Sequence, residues 1–337
     1  MPVDEPLRAP MIRHGRAAGV AGAVDLSERD RELIRALQED GRRSFAELAR
    51  RLGSNATTIA RRVGELRERH VIEITTVADP RALGYGAAAL IGIRLDAATR
   101  PSETARDLFA VAAVDYVVAC TGRYDLLVEV LCRDVATLAE VVESEIRARP
   151  GVREAEVFPY VQLPYQQPAW DAAQGSGIAG GLGPASQPLN ALDRSIVDEL
   201  NRDGRVPFSH VAARLGISEA QVRKRYAQLT ASGAVRVMAL TKPSSIGFDT
   251  MAWIAVVPAP GARVREVAAR LAALPSVAYL AVCTGRFDVL AEVVCRDPAD
   301  LLDLLDRDIR SLDGVARVEA LQCLELFYRP VSPVAPD

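Results

Sequence analysis

Three histidines in 337 residues leave little from which to build a metal or acid–base centre, and His14, His70 and His210 are scattered at no recognised ligand spacing. Long apolar runs are missing as well: 49% of the residues are hydrophobic, yet no stretch approaches the roughly 18 consecutive apolar residues of a membrane helix. The start lacks the apolar core of a signal peptide, because Ala17–Val24 is only feebly hydrophobic and Asp4 and Glu5 precede it. A disordered arm over 1–25 and a cytoplasmic location are the expectation, with no membrane partner. Five cysteines in such a chain do not imply disulfides. In a hairpin centred near Arg123, Cys120 faces residue 126 and Cys132 faces residue 114, so these two cannot bridge and read as small core residues. There is no excess of positive charge either. A formal net charge of −3 excludes a globally basic protein, so any nucleic-acid surface has to be local.

What the chain has in abundance is self-similarity. Cys120-Thr-Gly-Arg-Tyr-Asp125 recurs as Cys283-Thr-Gly-Arg-Phe-Asp288, an offset of 163 that also maps Asp40-Gly41-Arg42 onto Asp203-Gly204-Arg205 and Gly151 onto Gly314. One register without a net gap implies a duplicated unit. The boundaries read as helical domains at 26–79 and 189–243, α+β domains at 80–165 and 244–330, a Gly/Ala/Pro-rich linker at 166–188 and a tail at 331–337. Charge alternates in step: residues 26–79 carry 11 basic and 10 acidic side chains, 189–243 carry 9 and 5, and 81–161 and 248–330 carry 9 and 12 each. The second helical domain, at +4 against +1, is expected to hold a polyanion more strongly.

Each unit opens with three helical patterns. Ser27 and Asn190 suit N-caps of a first helix, Ser44 with Glu47 and Ser218 with Gln221 read as capping boxes, and Pro207 replaces Ser44 in the second copy. Ile59, Val63 and Leu66 form one apolar stripe of a third helix, repeated as Val222, Tyr226 and Leu229. The small Ala49 or Ala212 and the turn glycine Gly53 or Gly216 fit a helix-turn-helix, which frees the opposite face of the third helix. That face carries Asn55, Thr57, Thr58, Arg61 and Arg62 in the first copy and Ser218, Gln221, Lys224 and Arg225 in the second. Short polar groups followed by cations suit base edges and phosphates of duplex DNA, and a solvated basic face of a plain three-helix bundle is the alternative.

After Gly84 the period changes. Strand patterns at 88–95, 114–120, 126–132 and 152–161 and helical ones at 104–112 and 135–149 give a ferredoxin-like βαββαβ unit, so the fold class is α+β, two copies of a winged-type helix-turn-helix plus this sensor-type domain. Two helices cover one sheet face only. Both faces of the 126–132 strand are apolar, so the bare face needs a partner, and the two copies are expected to pack their open faces together as an intrachain pseudo-dimer.

The motifs Leu48-Ala-Arg-Arg-Leu-Gly53, Thr58-Ile-Ala-Arg-Arg62, Gly84-Tyr85, Gly122-Arg-Tyr-Asp125 and Pro150-Gly-Val152, with their second set, resemble the leucine-responsive regulatory protein/AsnC family of transcription regulators. The resemblance implies double-stranded DNA and a small effector, commonly an amino acid, as partners, and further homo-oligomerisation. It places Thr121, Gly122, Arg123, Tyr124 and Asp125, and Thr284, Gly285, Arg286, Phe287 and Asp288, at effector pockets. A simple hairpin turn requiring Gly and Asp is the alternative, and both can hold, with Arg123 or Arg286 as counter-charge to a ligand carboxylate. Siroheme decarboxylases also look like this family, but that resemblance normally includes histidines in the sensor half, where this chain has none. No catalytic residue, metal or cofactor is expected; an effector-binding protein without DNA affinity is a third reading.

Overall fold

The computed structural model describes residues 12–15, 26–166, 188–241, 247–329, 331 and 333–334, with backbone alone at 12–15 and 163–166. The expected linker and tail fall largely outside these residues. Helices α1 (Glu28–Glu39), α2 (Phe45–Arg51) and α3 (Ala56–Glu68) open the first unit, and α6 (Ala191–Arg202), α7 (Phe208–Leu215) and α8 (Glu219–Ala231) open the second. Their starts follow local chemistry. Ser27 and Asp30 cap each other reciprocally, Asn190 accepts from the Asp193 amide, and α7 begins at Pro207 without a side-chain cap. Ser44 caps α2 by accepting from the Glu47 amide, while the Glu47 carboxylate lies 3.6 Å from Arg43.

The two helical domains are not separate bodies. Leu33, Leu37, Leu48 and Leu66 share one core with Ile196, Leu200, Val211 and Val222. Strands β2 (Ile72–Ala78) and β7 (Val235–Thr241) follow the helices and pair antiparallel, with Thr75 opposite Met238 at the centre of the register. These two residues occupy equivalent positions, so a pseudo-twofold axis passes between them. Each strand finds its partner in the other unit, so no hairpin turn marks the ribbon in the sequence.

The sensor halves run β3 (Ala87–Leu95), α4 (Pro101–Phe109), β4 (Val114–Cys120), β5 (Leu126–Cys132), α5 (Val135–Val141) and β6 (Val152–Gln166), then β8 (Thr250–Pro258), α9 (Val264–Ala272), β9 (Val277–Cys283), β10 (Val289–Cys295), α10 (Pro298–Asp303) and β11 (Val315–Tyr328). The helix expected unbroken to Arg149 widens into a π-helical stretch at Val142–Arg147, and Leu304–Ile309 repeats this. The open faces do meet, and the last strands exchange. β6 pairs with β3 as far as Pro159 and with β9 from Tyr160, while β11 pairs with β8 as far as Gln322 and with β4 from Cys323. Eight strands thereby close on themselves around Leu90, Tyr116, Phe158, Trp253, Phe287 and Leu321.

One expectation is corrected at the N-terminus. Within the arm expected to be disordered, Ile12–Gly15 forms β1, which pairs with β11 opposite Tyr328–Glu325, on the stretch that β8 has already left. An isolated 81–161 fragment, whose apolar inner face would be bare, is expected to self-associate or unfold; a monomeric, folded fragment at high concentration in sedimentation would refute the shared barrel.

Candidate nucleic-acid interface and sensor turns

The third helices expose their first turns. Asn55, Thr57, Thr58 and Arg61 on α3, and Ser218, Gln221 and Lys224 on α8, are solvent-exposed, while Ile59, Val63, Leu66, Val222 and Leu229 hold the opposite face in the core. Several of these groups also build the helix. Asn55 Oδ1 accepts from the Thr58 amide at 2.8 Å, and Gln221 Oε1 accepts from both the amide and hydroxyl of Ser218 at 3.0 and 3.1 Å. Arg61 pairs with Glu65, one turn on, and Lys224 makes no ion pair with any other described residue.

Arg62 and Arg225, expected at phosphates, are both engaged within the protein. Each is half-buried, and each reaches back to the first helix of its own unit: Arg62 donates to the buried Asp30 at 2.5 and 2.6 Å, and Arg225 to Asp193 at 3.0 Å. The bidentate Arg62 bond holds the Asp30 carboxyl below its usual range. These pairs tie the third helix to the first in each unit. Two further arginines, unremarked in sequence except as part of the repeated Asp-Gly-Arg, join the helical domains. Arg42 donates to the Gly204 and Val206 carbonyls at 2.5 and 3.0 Å and stacks 4.0 Å over Phe208; Arg205 donates to the Gly41 carbonyl at 2.6 Å and stacks 4.3 Å over Phe45.

The sensor turns are clasped in the same reciprocal manner. Arg123 forms a bidentate pair with Glu319 at 2.7 and 2.9 Å, and Arg286 pairs with Glu156 at 3.0 Å, each crossing to the other unit. Thr121 and Thr284 donate their amides to the carbonyls of Gln322 and Pro159 on the exchanged strands. Gly122 and Gly285 take φ of 112° and 130°, as a turn needing positive φ requires, and a Cβ at Gly122 would come within 3.1 Å of Leu321. Cys120 and Cys283 each donate a thiol to the turn carbonyl four residues on, at 3.3 Å, and burial pushes both thiols up to about 12. Arg123 and Arg286, expected as counter-charges to a ligand carboxylate, are thus each paired with a carboxylate of the other unit. Tyr124 and Phe287, which the family resemblance places at effector pockets, are 2% and 1% exposed and face the barrel interior. The turns also differ: Asp125 accepts from the Leu95 amide at 2.8 Å, whereas Pro258 stands at the equivalent position in the second unit and has no N–H to offer Asp288.

The helix-turn-helix segments 26–67 and 189–230 match the AsnC-type helix-turn-helix domain model, and residues 88–170 and 251–330 match that of the Lrp/AsnC ligand-binding domain. The chain belongs to the Lrp/AsnC family. An uncharacterized HTH-type transcriptional regulator of Pyrococcus abyssi is 34% identical over 132 residues, 39% of this chain and 83% of its own length. The HTH-type transcriptional regulator LrpA of Pyrococcus horikoshii is 32% identical over 131 residues, again 39% of this chain and 92% of its own. One relative thus spans about one unit. The two-unit fold is shared with the crystal structure of the siroheme decarboxylase NirDL, at 18% identity and a TM-score of 0.62 over 91% of this chain and 94% of that one.

Inside this Lrp/AsnC barrel lies a set of buried acids. Glu129 accepts from Tyr160 of its own unit at 2.7 Å and from Tyr279 of the other, and Glu292 accepts from Tyr116 at 2.7 Å, itself a partner of Trp253 Nε1 at 2.8 Å. Asp115 lies beside Glu129, with one carboxyl oxygen unpartnered among the described residues. Burial raises all three acids, Glu292 to about 7.

Proposed function

We propose that this chain is a DNA-binding transcription regulator that reads duplex DNA with α3 and α8 and responds to a small carboxylate-bearing effector, an amino acid or related metabolite. The observation that carries it is the pair of exposed first turns on one pseudo-twofold axis, each with short polar groups and a cation, Arg61 or Lys224, at the same helical position. The regulator names of the Pyrococcus relatives support it. In this reading Thr57, Thr58 and Gln221 meet base edges, Asn55 and Ser218 fix the helix starts, and Arg61 leaves Glu65 for a phosphate. The effector acts at the clasped turns, where its carboxylate competes with Glu319 for Arg123 or with Glu156 for Arg286. Only an effector with different affinities for the clasped and released arrangements can shift the helical domains.

The test is a salt titration of binding to the DNA upstream of the protein's own gene. Arg61→Ala with Lys224→Ala is expected to weaken binding on every sequence and to lower the slope of log affinity against log salt by about 2, one per cation removed. Unchanged affinity and slope would sink the reading.

A further inference from the structure

The two recognition helices are chemically unlike, and the fold fixes which one stands where. The Gly41 amide donates to the Val237 carbonyl at 2.8 Å and the Gly204 amide to the Ile74 carbonyl at 2.7 Å, so the turns after α1 and α6 are stitched to the β2–β7 ribbon in both directions. Arg42 and Arg205 cross between the domains, and one apolar core runs through both. At Gly41 and Gly204 an added Cβ would come within 2.9 and 2.8 Å of backbone atoms of the other unit, which measures how closely the domains approach. Neither helix-turn-helix can rotate or exchange without breaking these contacts.

In a regulator assembled from identical subunits the twofold axis relates identical helices, and operator palindromy mirrors that symmetry. Here the axis relates different ones. The exposed face of α3 starts Asn55-Ala56-Thr57-Thr58 and has no acid in its first turn, with Ala60 and Arg61 following. The face of α8 starts Ser218-Glu219-Ala220-Gln221, and Glu219 draws Arg223, which stands where α3 has Ala60, into a pair at 2.5 Å. A carboxylate near the groove disfavours phosphate and purine acceptors and favours the exocyclic amine of cytosine, while an amide suits adenine and a threonine methyl suits the thymine methyl. The chemistry offered to the two half-sites is therefore different.

We propose that the chain reads a non-palindromic operator made of two dissimilar half-sites in one fixed order and orientation. This rests on the reading that α3 and α8 enter the groove. The positions at which the two first turns differ, at roughly 5- to 150-fold in affinity per mismatched base pair, are ample to separate the mixed site from either palindrome.

The experiment is selection of duplexes from a random library by the full chain, followed by affinity measurement on the enriched site and on the two palindromes built from its halves. The mixed site is expected to bind at least tenfold more tightly than either palindrome. In the variant Asn55→Ser, Ala56→Glu, Thr57→Ala, Thr58→Gln, Ala60→Arg, Arg61→Lys, checked for fold by circular dichroism, selection should move to the palindrome of the second half-site. A palindrome or a lone half-site enriched by the unaltered chain overturns the inference while leaving DNA binding intact; that result stands even if the variant does not fold. Failure to enrich any sequence, with no salt-dependent binding, overturns the proposed function and the inference together.

Discussion

Replacing Trp253 with alanine is expected to lower the unfolding free energy by about 3–5 kcal/mol, the cost of removing a large aromatic side chain from a packed interior. Trp253 is 2% exposed at the seam of the two sensor halves, with its ring edge-on to Tyr116 and Tyr279 at centroid distances of 5.9 and 5.8 Å. Its Nε1 donates to the Tyr116 hydroxyl, which in turn donates to Glu292, so truncation empties a large volume and removes one link of a buried polar chain. Urea unfolding followed by circular dichroism reads the effect. A loss of less than about 1 kcal/mol would mean that the seam is not one cooperative core.

Stability is expected to fall as the solution is made more alkaline, against the usual behaviour of paired surface carboxylates. Glu292 has an ordinary value of 4.5 and is pushed up to about 7 by burial, so the folded chain holds its proton more tightly than the unfolded one. Its contribution is complete below pH 4.5 and is lost as pH rises through 7; at 1.36 kcal/mol per pH unit the loss is about 3 kcal/mol. Asp115 and Glu129 are raised for the same reason and act in the same direction. Around Glu292 stand Tyr116, whose hydrogen bond favours the ionised form, and Cys323 and Glu129; around Asp115 stand Glu129, Tyr85, Tyr328 and Arg329, of which the arginine favours ionisation. Glu292→Gln retains an acceptor for Tyr116 without a titrating proton. Unfolding free energies at pH 5 and pH 8 should therefore lie closer together in that variant than in the parent, and an unchanged gap would remove Glu292 from the account.

Much of this architecture is legible in single residues. Apolar runs at 114–120 and 126–132, each interrupted by one acid and divided by Thr121–Asp125, give β4 and β5 to the residue, and Ser27, Asn190 and Ser218 mark helix starts at which the caps are formed. Interactions that cross between units are illegible to local reading. Arg123 looks like an exposed turn cation until Glu319, 196 residues away, lies against it, and the β2–β7 ribbon has no hairpin to announce it. Two signals were nonetheless present in the repeat. Arg62 and Asp30 recur as Arg225 and Asp193 at the same spacing of 32, as an intra-unit pair should, and Glu129 and Glu292 recur amid apolar strand residues, where a charge needs a buried partner.

The exchange of β6 and β11 has a consequence for biosynthesis. Because the first sensor half borrows its final strand partner from residues 323–328, it leaves the ribosome with an unfilled seam and must wait for the second half to be translated. At elongation rates of roughly 5–20 residues per second, an offset of 163 residues is a delay of roughly 10–30 s. Once that interval has passed, the partner is tethered in cis, so the finished pair forms at any cellular abundance, and dilution cannot separate its halves.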